Sequence, residues 1–565
     1  MLTNEELADE LRILADLMTI GGDDDVYRIR RYSRLADAID ALPEPIGAVY
    51  AEGRLTDMKG VGDSTAKLIE EYLATGSSKR REKLEETTPI TVLDLLELPG
   101  IGPKTAQRLF QDLHIKSIDE LEAGLDAGTV QGMKGITAKT EEKLRAGIAR
   151  IRRRNVERPL QEVLRLSEQI GEALNLASDV TAVAVAGAAR RGVETPRRIH
   201  VVAATENIGQ AAVVLDKIGL GDGSPTREVR GEFGGGFPIR ASLTPSAYFG
   251  VTWLRQTADA SHVAALSARA TERGLPPLDD DEGWRRLDEE EIYGKLGLPL
   301  IVPELREGTT AIDRADAGAL PTLIRIDDYN ADLHVHTHAS DGLNTIEEMA
   351  QAAQARGYGC LAICDHSRSS GQAGGLSAER LLEQIEQVRV VNDGMDSDFT
   401  LLAGSEVDIL RDGKLDYPND ILAQLDWVVA SVHSNFNLSE AEQTERFYRA
   451  MENPYVRVIG HATGRLLSRR DPYPIDIPAL IGKAAETGVA LELNAAPDRL
   501  DLNAEYCAMA REAHVPVSIN TDAHRRETLD TIRYGLATAR RAWLEPKHVV
   551  NTWSAEEIQG FRAPS

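Results

Sequence analysis

The sequence predicts a multidomain chain, helical in front, mixed α+β in the middle, and alternating strand with helix behind. Three observations carry this. At 565 residues the chain is too long for one hydrophobic core and should divide into about three or four domains. The runs MKGVGDSTAKLIEEYL (58–73) and ELPGIGPKTAQRLFQDL (97–113) are two copies of one pattern, a glycine turn followed by a helix. From ADLHVHTHASDG (331–342) onward, seven short apolar runs end in polar or acidic residues, with helical periodicity between them, which predicts a parallel sheet.

In a closed parallel barrel every strand points the same way, so residues ending different strands gather on one rim however far apart they lie in sequence. His334, His336, Asp341, His366, Glu406, His433, His461, Asp522 and His524 would share that rim. Six imidazoles and three carboxylates packed together repel and desolvate one another unless cations neutralise them. With some carboxylates bridging and water filling open positions, the set is enough for about three divalent ions. Imidazole mixed with carboxylate, without thiolate, favours Zn, Mn, Fe or Co over Mg or Ca. A further strand-like run, VALELNA, ends in Glu492 and Asn494, which are left out of the ligand set.

The motifs H-x-H…SDG, DH, a lone Glu, the single histidines of ASVHS and IGHATG, and D-x-H resemble the polymerase-and-histidinol-phosphatase (PHP) family from residue 331 to about 560. The resemblance implies a distorted (β/α)7 barrel and a trinuclear metal-dependent phosphoesterase whose nucleophile is a metal-bound water. Asp365 and Asp408 are expected to orient ligand imidazoles rather than to bind metal. Arg368, Arg465 and Arg499 fall just beyond strand ends and are candidates for holding phosphate, with surface ion pairs the plainer alternative for each.

Composition adds limits. No segment reaches 18 uninterrupted apolar residues, and MLTNEELADELRILADLM reads as an acidic amphipathic helix rather than a signal peptide, so a soluble, cytoplasmic protein with no membrane partner is expected; a monomer is expected as well. Cys360, Cys364 and Cys507 cannot build a disulfide framework. The net charge of −26 is awkward for a nucleic-acid partner, yet Lys79, Arg80, Arg81 and Lys83, and again Arg145, Arg150, Arg152, Arg153, Arg154 and Arg158, form local basic clusters.

In the two repeats, Gly60 and Gly62, and Gly100 and Gly102, allow a tight hairpin between helices, and the amides opening the second helix can hold a phosphate oxygen. Lys67 and Lys104 stand at comparable places. This is the helix-hairpin-helix signature, a sequence-independent reader of DNA backbone. A third copy, GMKGITAKTEEKL (132–144), keeps Gly135 but has Thr137 at the second glycine position, so packing without gripping is expected. The order of parts resembles the bacterial and archaeal family X DNA polymerases. It implies an N-terminal helical DNA-binding domain with the first hairpin (1–80), a fingers-like helical domain with further hairpins (81–155), a nucleotidyltransferase-like palm (156–245), a thumb-like segment (246–312), a linker (313–330) and the PHP barrel (331–565).

Family X palms resemble G-S-x-R-R-G-x-E-T-x-x-D-I-D, and the corresponding run here is AGAARRGVETPRRIHVVAAT (186–205). Gly187, Arg190, Arg191, Gly192, Glu194 and Thr195 keep the frame, but Ala188 replaces the serine, and Arg198 and His200 replace the two metal-holding aspartates. The third aspartate aligns to Arg240, and the nucleotide-contacting T-G-S motif reads Thr257, Ala258, Asp259. Two-metal phosphoryl transfer needs carboxylates at those positions, so loss of templated synthesis is expected. The resemblance then implies a DNA repair enzyme acting on gapped, nicked or 3′-damaged DNA by Mn²⁺-stimulated 3′→5′ exonucleolytic cleavage, with 3′-phosphatase and abasic-site endonuclease as further activities. An active DNA polymerase with exonuclease, and a small-molecule phosphatase of the histidinol-phosphatase type, are the alternatives.

Overall fold

Leucines and isoleucines at helical spacing give the front of the chain its apolar faces, and alternating aliphatics give the back its strands. The computed structural model describes residues 4–562 apart from 24, 41, 43, 44, 59, 60, 132, 134 and 135. It divides into two compact units, Met1–Arg153 and Arg154–Ser565.

The first unit is helical. Leu7, Leu11 and Leu14 of the helix Asn4–Gly21 pack with Ile39, Ile69 and Tyr72, and a second cluster joins Val92, Leu95, Ala106, Leu109, Leu121 and Leu144. The helices Asp63–Thr75 and Pro103–Leu113 each begin directly after a glycine, Gly62 and Gly102, with nearly the same backbone (φ −103°, ψ 175° and φ −98°, ψ 173°). Pro103 at the first helical position suits that start, because its fixed φ is already helical and its missing N–H would go unpaired there.

The second unit opens with a four-stranded mixed sheet of β1 (Val180–Val185), β2 (Ile199–Thr205), β3 (Glu228–Phe233) and β4 (Phe237–Thr244), in the order β1-β2-β4-β3 with only β2 and β4 parallel. The helix Leu160–Asn175 lays Val163, Leu166, Ile170 and Leu174 on it. A helical segment follows, built on a core that includes Trp284, Tyr293 and Leu296.

Seven parallel strands come next: β5 (Ala331–Val335), β6 (Cys360–Ile363), β7 (Thr400–Asp408), β8 (Trp427–Ser431), β9 (Val458–Ile459), β10 (Ala490–Asn494) and β11 (Val517–Asn520). They pair in sequence order from β5 to β11, and a parallel bridge from Val335 to Ala523 with a 2.9 Å bond from His336 N to Ala523 O brings the edges together into a nearly closed barrel. Helices flank the strands, as βαβ connections require. Residues early in the strands, among them Cys360, Ala362, Leu402, Trp427, Val429, Val458 and Ala490, form one buried cluster that fills the lower interior. The polar residues follow one turn of the pleat later, at the strands' C-terminal ends. Cys360, Cys364 and Cys507 are buried free thiols, as residues inside apolar layers should be.

Candidate metal centre at the barrel mouth

The strand ends deliver their side chains to one space. His336, Asp341, His366 and His524 form one group of donor atoms within 4.8 Å of one another, His334, His336 and Asp522 a second, and His366, Glu406 and His433 a third. His461 joins through its Nε2, 2.9 Å from Glu406 Oε1. All nine predicted residues therefore meet at one mouth. Glu406 sits at its middle, with His366 Nδ1 2.7 Å, His433 Nε2 3.2 Å and His334 Nε2 3.6 Å from its oxygens.

Electrostatics within this cluster run against burial. Burial alone would push Glu406 and Asp522 up, yet the surrounding imidazoles hold both far below the usual carboxylate range. The reciprocal effect overcomes burial at His366, raised to about 10, and at His433 and His524, each raised to about 9, by Glu406, Asp408, Asp341 and Asp522. His336 goes the other way, to about 4, because it is buried and faces His366 and His524. The acids demand positive charge that lies close at hand.

Whether divalent cations fit is answered by atoms without partners. His334 Nε2, both nitrogens of His336, His366 Nδ1, His461 Nδ1 and Glu406 Oε2 are buried and make no hydrogen bond. His366 Nδ1 and Glu406 Oε2 are 2.7 Å apart yet misaligned for bonding each other, the arrangement of two donors to a third atom. Imidazole and carboxylate oxygen are ligands for Zn, Mn, Fe or Co, so the residues fit such ions. Among the described residues, no metal-capable group of this kind occurs elsewhere.

Neighbouring residues fix the rings. Asp408 accepts from His433 Nδ1 at 3.1 Å and from Ser370 Oγ at 2.6 Å. Asp365 orients no imidazole directly: its carboxylate takes Thr337 N (2.8 Å), Thr337 Oγ1 (2.6 Å), Ser340 and Gln384, and so steadies the loop between His336 and Asp341. Glu492, left outside the ligand set by the sequence, bonds His334 Nδ1, His461 N and Asn520 Nδ2, each at 2.8 Å. Its position at a strand end was the available signal; its partners come from β5, from β11 and from the residues just past β9. Asn494 donates to Asp522 Oδ2 at 3.0 Å.

The three arginines differ. Arg368 is 71% exposed and 3.5 Å from Asp416. Arg499 brings Nε to 3.5 Å from Asp522 Oδ2. Arg465 is turned away from the mouth, bonded to Glu194 and to the carbonyls of Arg499 and Leu500.

In the mixed sheet, His200 and Arg240 are register neighbours on β2 and β4, and Arg230 on β3 pairs with Arg240 in turn. Burial first, then Arg240 and Arg198, pulls His200 down to about 4. Arg190 forms a two-bond pair with Glu289 (2.7 and 2.6 Å) and reaches Thr257 Oγ1 at 2.8 Å. Ala188 lies in the four-residue helix Gly187–Arg190. Asp259 caps the helix Ala260–Glu272 through His262 N and also accepts from Gly308 N.

In the first unit, a Cβ added at Gly62, Gly100 or Gly102 would meet nothing within 4 Å, and Lys67 and Lys104 are exposed. Neither helix that follows has a side chain capping its first amides. In the third copy, Thr137 Oγ1 accepts from Thr140 N at 3.2 Å, so its helix start is already occupied. Gly60 and Gly135 lie outside the described residues.

Fold and site together define a class: a parallel barrel with a polynuclear-type donor set at its mouth, joined to a mixed-sheet module and to helical hairpin modules. Comparison with known proteins agrees. Residues 332–496 match the PHP domain, residues 2–78 a helix-hairpin-helix domain, and residues 92–150 a SAM-like helix-hairpin-helix tandem. The chain is 33% identical to the DNA polymerase/3′-5′ exonuclease PolX of Bacillus subtilis (strain 168), over 98% of each chain. Over 39% of its length it is 29% identical to a probable phosphatase of Syntrophotalea carbinolica, covering 90% of that protein, and 30% identical to one of Thermoanaerobacter sp. (strain X514), covering 89%. The chain belongs to the PolX family of family X DNA polymerase homologues, with helix-hairpin-helix modules in front and a PHP domain behind.

Proposed function

We propose that this chain is a metal-dependent DNA phosphoesterase that trims 3′ ends of gapped, nicked or damaged DNA in repair, as a 3′→5′ exonuclease with 3′-phosphatase and abasic-site endonuclease activity, and that its palm no longer synthesises DNA. What supports this is a contrast of charge: buried, unbonded imidazole and carboxylate atoms crowd the barrel mouth, while Arg198, His200 and Arg240 occupy the positions that the family X pattern gives to acids.

About three divalent ions, Mn, Zn, Fe or Co, would be held by His334, His336, Asp341, His366, Glu406, His433, His461, Asp522 and His524. When bound, such ions supply Lewis acidity to the phosphate oxygens and a water nucleophile at neutral pH. The rest falls to the chain. Glu492 and Asp408 hold His334 and His433 by Nδ1 and so aim the opposite nitrogen of each ring inward. Arg499 places a guanidinium beside Asp522, where it would stabilise negative charge on the phosphoryl oxygens. Substrate approaches over His524 and Asp341, 37% and 34% exposed, because His334 and His336 are fully covered. The open helix starts after Gly62 and Gly102, with Lys67 and Lys104, serve as the grip on DNA backbone. Relatives named as an exonuclease and as probable phosphatases support the same chemistry.

One gel tests it: a 5′-labelled primer-template with Mn²⁺, with and without deoxynucleotides. Shortening alone is expected, and lengthening would overturn the palm assignment. His336→Ala and Asp522→Ala should each abolish nucleotide release while DNA retention stays intact.

A further inference from the structure

The palm and the barrel lie in one compact unit, and the contact between them falls on a motif. Residues 190–195, RRGVET, are the stretch of the palm that keeps the polymerase pattern. Here that stretch faces the barrel. Gly192, at φ +70°, lies so close to the helix Ile532–Arg541 that a Cβ would come within 2.9 Å of Ala537 Cβ. Arg541 donates to Arg191 O at 3.1 Å, and Glu307 takes both Arg191 (2.8 Å) and Arg541 (2.9 Å). Glu194 pairs with Arg465 at 2.9 Å.

Arg465 does not stop at Glu194. The same guanidinium donates from Nε to Arg499 O at 2.9 Å and from Nη2 to Leu500 O. Those two carbonyls belong to the turn that presents Arg499 to Asp522. The turn is gripped from the palm side a second time, because the Leu500 side chain is buried in the palm's own apolar cluster with Tyr534. Leu500 also takes the left-handed backbone (φ +44°), which a β-turn of ordinary residues does not hold without support. On its outer side Pro497 and Asp498 line a cleft of about 810 Å³ together with Arg469 and Arg533, and there the backbone is tied by Leu467 N to Asp498 O at 2.6 Å and by Arg499 N and Leu500 N to Ala496 O at 2.8 and 3.1 Å. Those bonds shape the turn itself, whereas Arg465 ties it to the neighbouring sheet module. The palm end of the chain of contacts is firm, since Leu160 N donates to Glu194 O at 2.8 Å and Val193 N to Ala188 O at 3.0 Å.

We propose that Glu194 is a positioning residue for the barrel's phosphoesterase centre: through Arg465 it fixes the 496–501 turn and holds Arg499 beside Asp522. The palm motif has thereby become a brace for the hydrolytic site. This rests on the phosphoesterase reading for its consequence in catalysis, but the brace itself is a matter of structure and can be measured separately.

The test uses the full chain, with Glu194→Ala, Glu194→Gln, Arg465→Ala and the double Glu194→Ala/Arg465→Ala variant. Hydrogen–deuterium exchange of the peptide spanning 494–502 reads the brace; exchange about tenfold faster than in the parent is expected in Glu194→Ala, with the β6 and β8 peptides unchanged. Hydrolysis of bis(p-nitrophenyl) phosphate with Mn²⁺ reads the consequence, on a substrate too small to involve the DNA-gripping modules. There kcat should fall about tenfold and the inhibition constant of inorganic phosphate should rise. Glu194→Gln should recover part of both, and the double variant should be no worse than either single one. Mn²⁺ binding followed by electron paramagnetic resonance should be unchanged, which separates a loosened arginine from a lost ligand. Unchanged exchange at 494–502 in Glu194→Ala overturns the brace. Faster exchange in a parent chain that hydrolyses no phosphodiester would leave the brace standing and overturn the phosphoesterase reading. Additive losses in the double variant would overturn the coupling.

Discussion

Glu492 ties His334, His461 and Asn520 together without being one of the nine donors. Its carboxylate is fully buried, and the imidazoles of His334 and His461 hold it low despite that burial. Replacing it, Glu492→Gln, keeps shape but removes the charge that fixes the ring's tautomer, so Mn²⁺ affinity by titration calorimetry should weaken about 10- to 100-fold. His200 offers a different residue-scale test. Burial, Arg240 and Arg198 lower it from 6.5 to about 4, so the unfolded chain takes up a proton that the folded chain refuses. Stability from this group is therefore complete above pH 6.5 and lost as pH falls toward 4, by roughly 3 kcal/mol at most. Urea titrations at pH 7 and pH 4.5 should show this loss in the parent and a smaller one in His200→Asn. His262, lowered to about 4 by burial despite its bond to Gly308 O, adds in the same direction.

At the scale of elements, the two open hairpins separate conformational need from access. Gly100 has φ +88°, where an alanine costs about 1 kcal/mol, so Gly100→Ala should lower the midpoint of unfolding. Gly102, at φ −98° with open space beyond it, can carry a methyl group without strain. Gly102→Ala should therefore weaken DNA binding, measured by fluorescence anisotropy, with the unfolding midpoint nearly unchanged. Thr137→Gly in the third copy frees an amide that the hydroxyl now occupies, and little gain in DNA affinity from it would show that the packing there serves another end. The hairpins and the strand ends were both readable because each is a local pattern: glycine where an amide must be open, and polar residues one step beyond an apolar run. Asp365 was readable as a neighbour of a ligand, but not its partners, since Thr337, Ser340 and Gln384 approach it from elements that only folding brings near.

At the scale of the whole molecule, two compact units with separate apolar clusters predict two calorimetric transitions. Only the transition of the Arg154–Ser565 unit should rise on adding Mn²⁺, by the equivalent of about 2.7 kcal/mol per site at a hundredfold excess over Kd, and chelation should reverse it. In His336→Ala the rise should be lost. Trp427, fully buried where the lower barrel interior is filled, should cost about 3–5 kcal/mol of that unit's stability when truncated to alanine.

The sequence by itself determined the barrel, the gathering of its strand-end donors and the helix-hairpin-helix modules, because each rests on residue type at a fixed step along the chain. The tertiary structure alone decided that Glu492 belongs to the rim, that Arg465 meets Glu194 and the carbonyls of Arg499 and Leu500, and that Gly192 packs against the helix Ile532–Arg541. These depend on long-range pairs such as Glu194 with Arg465, 271 residues apart, and no local periodicity encodes which distant carboxylate a guanidinium will meet.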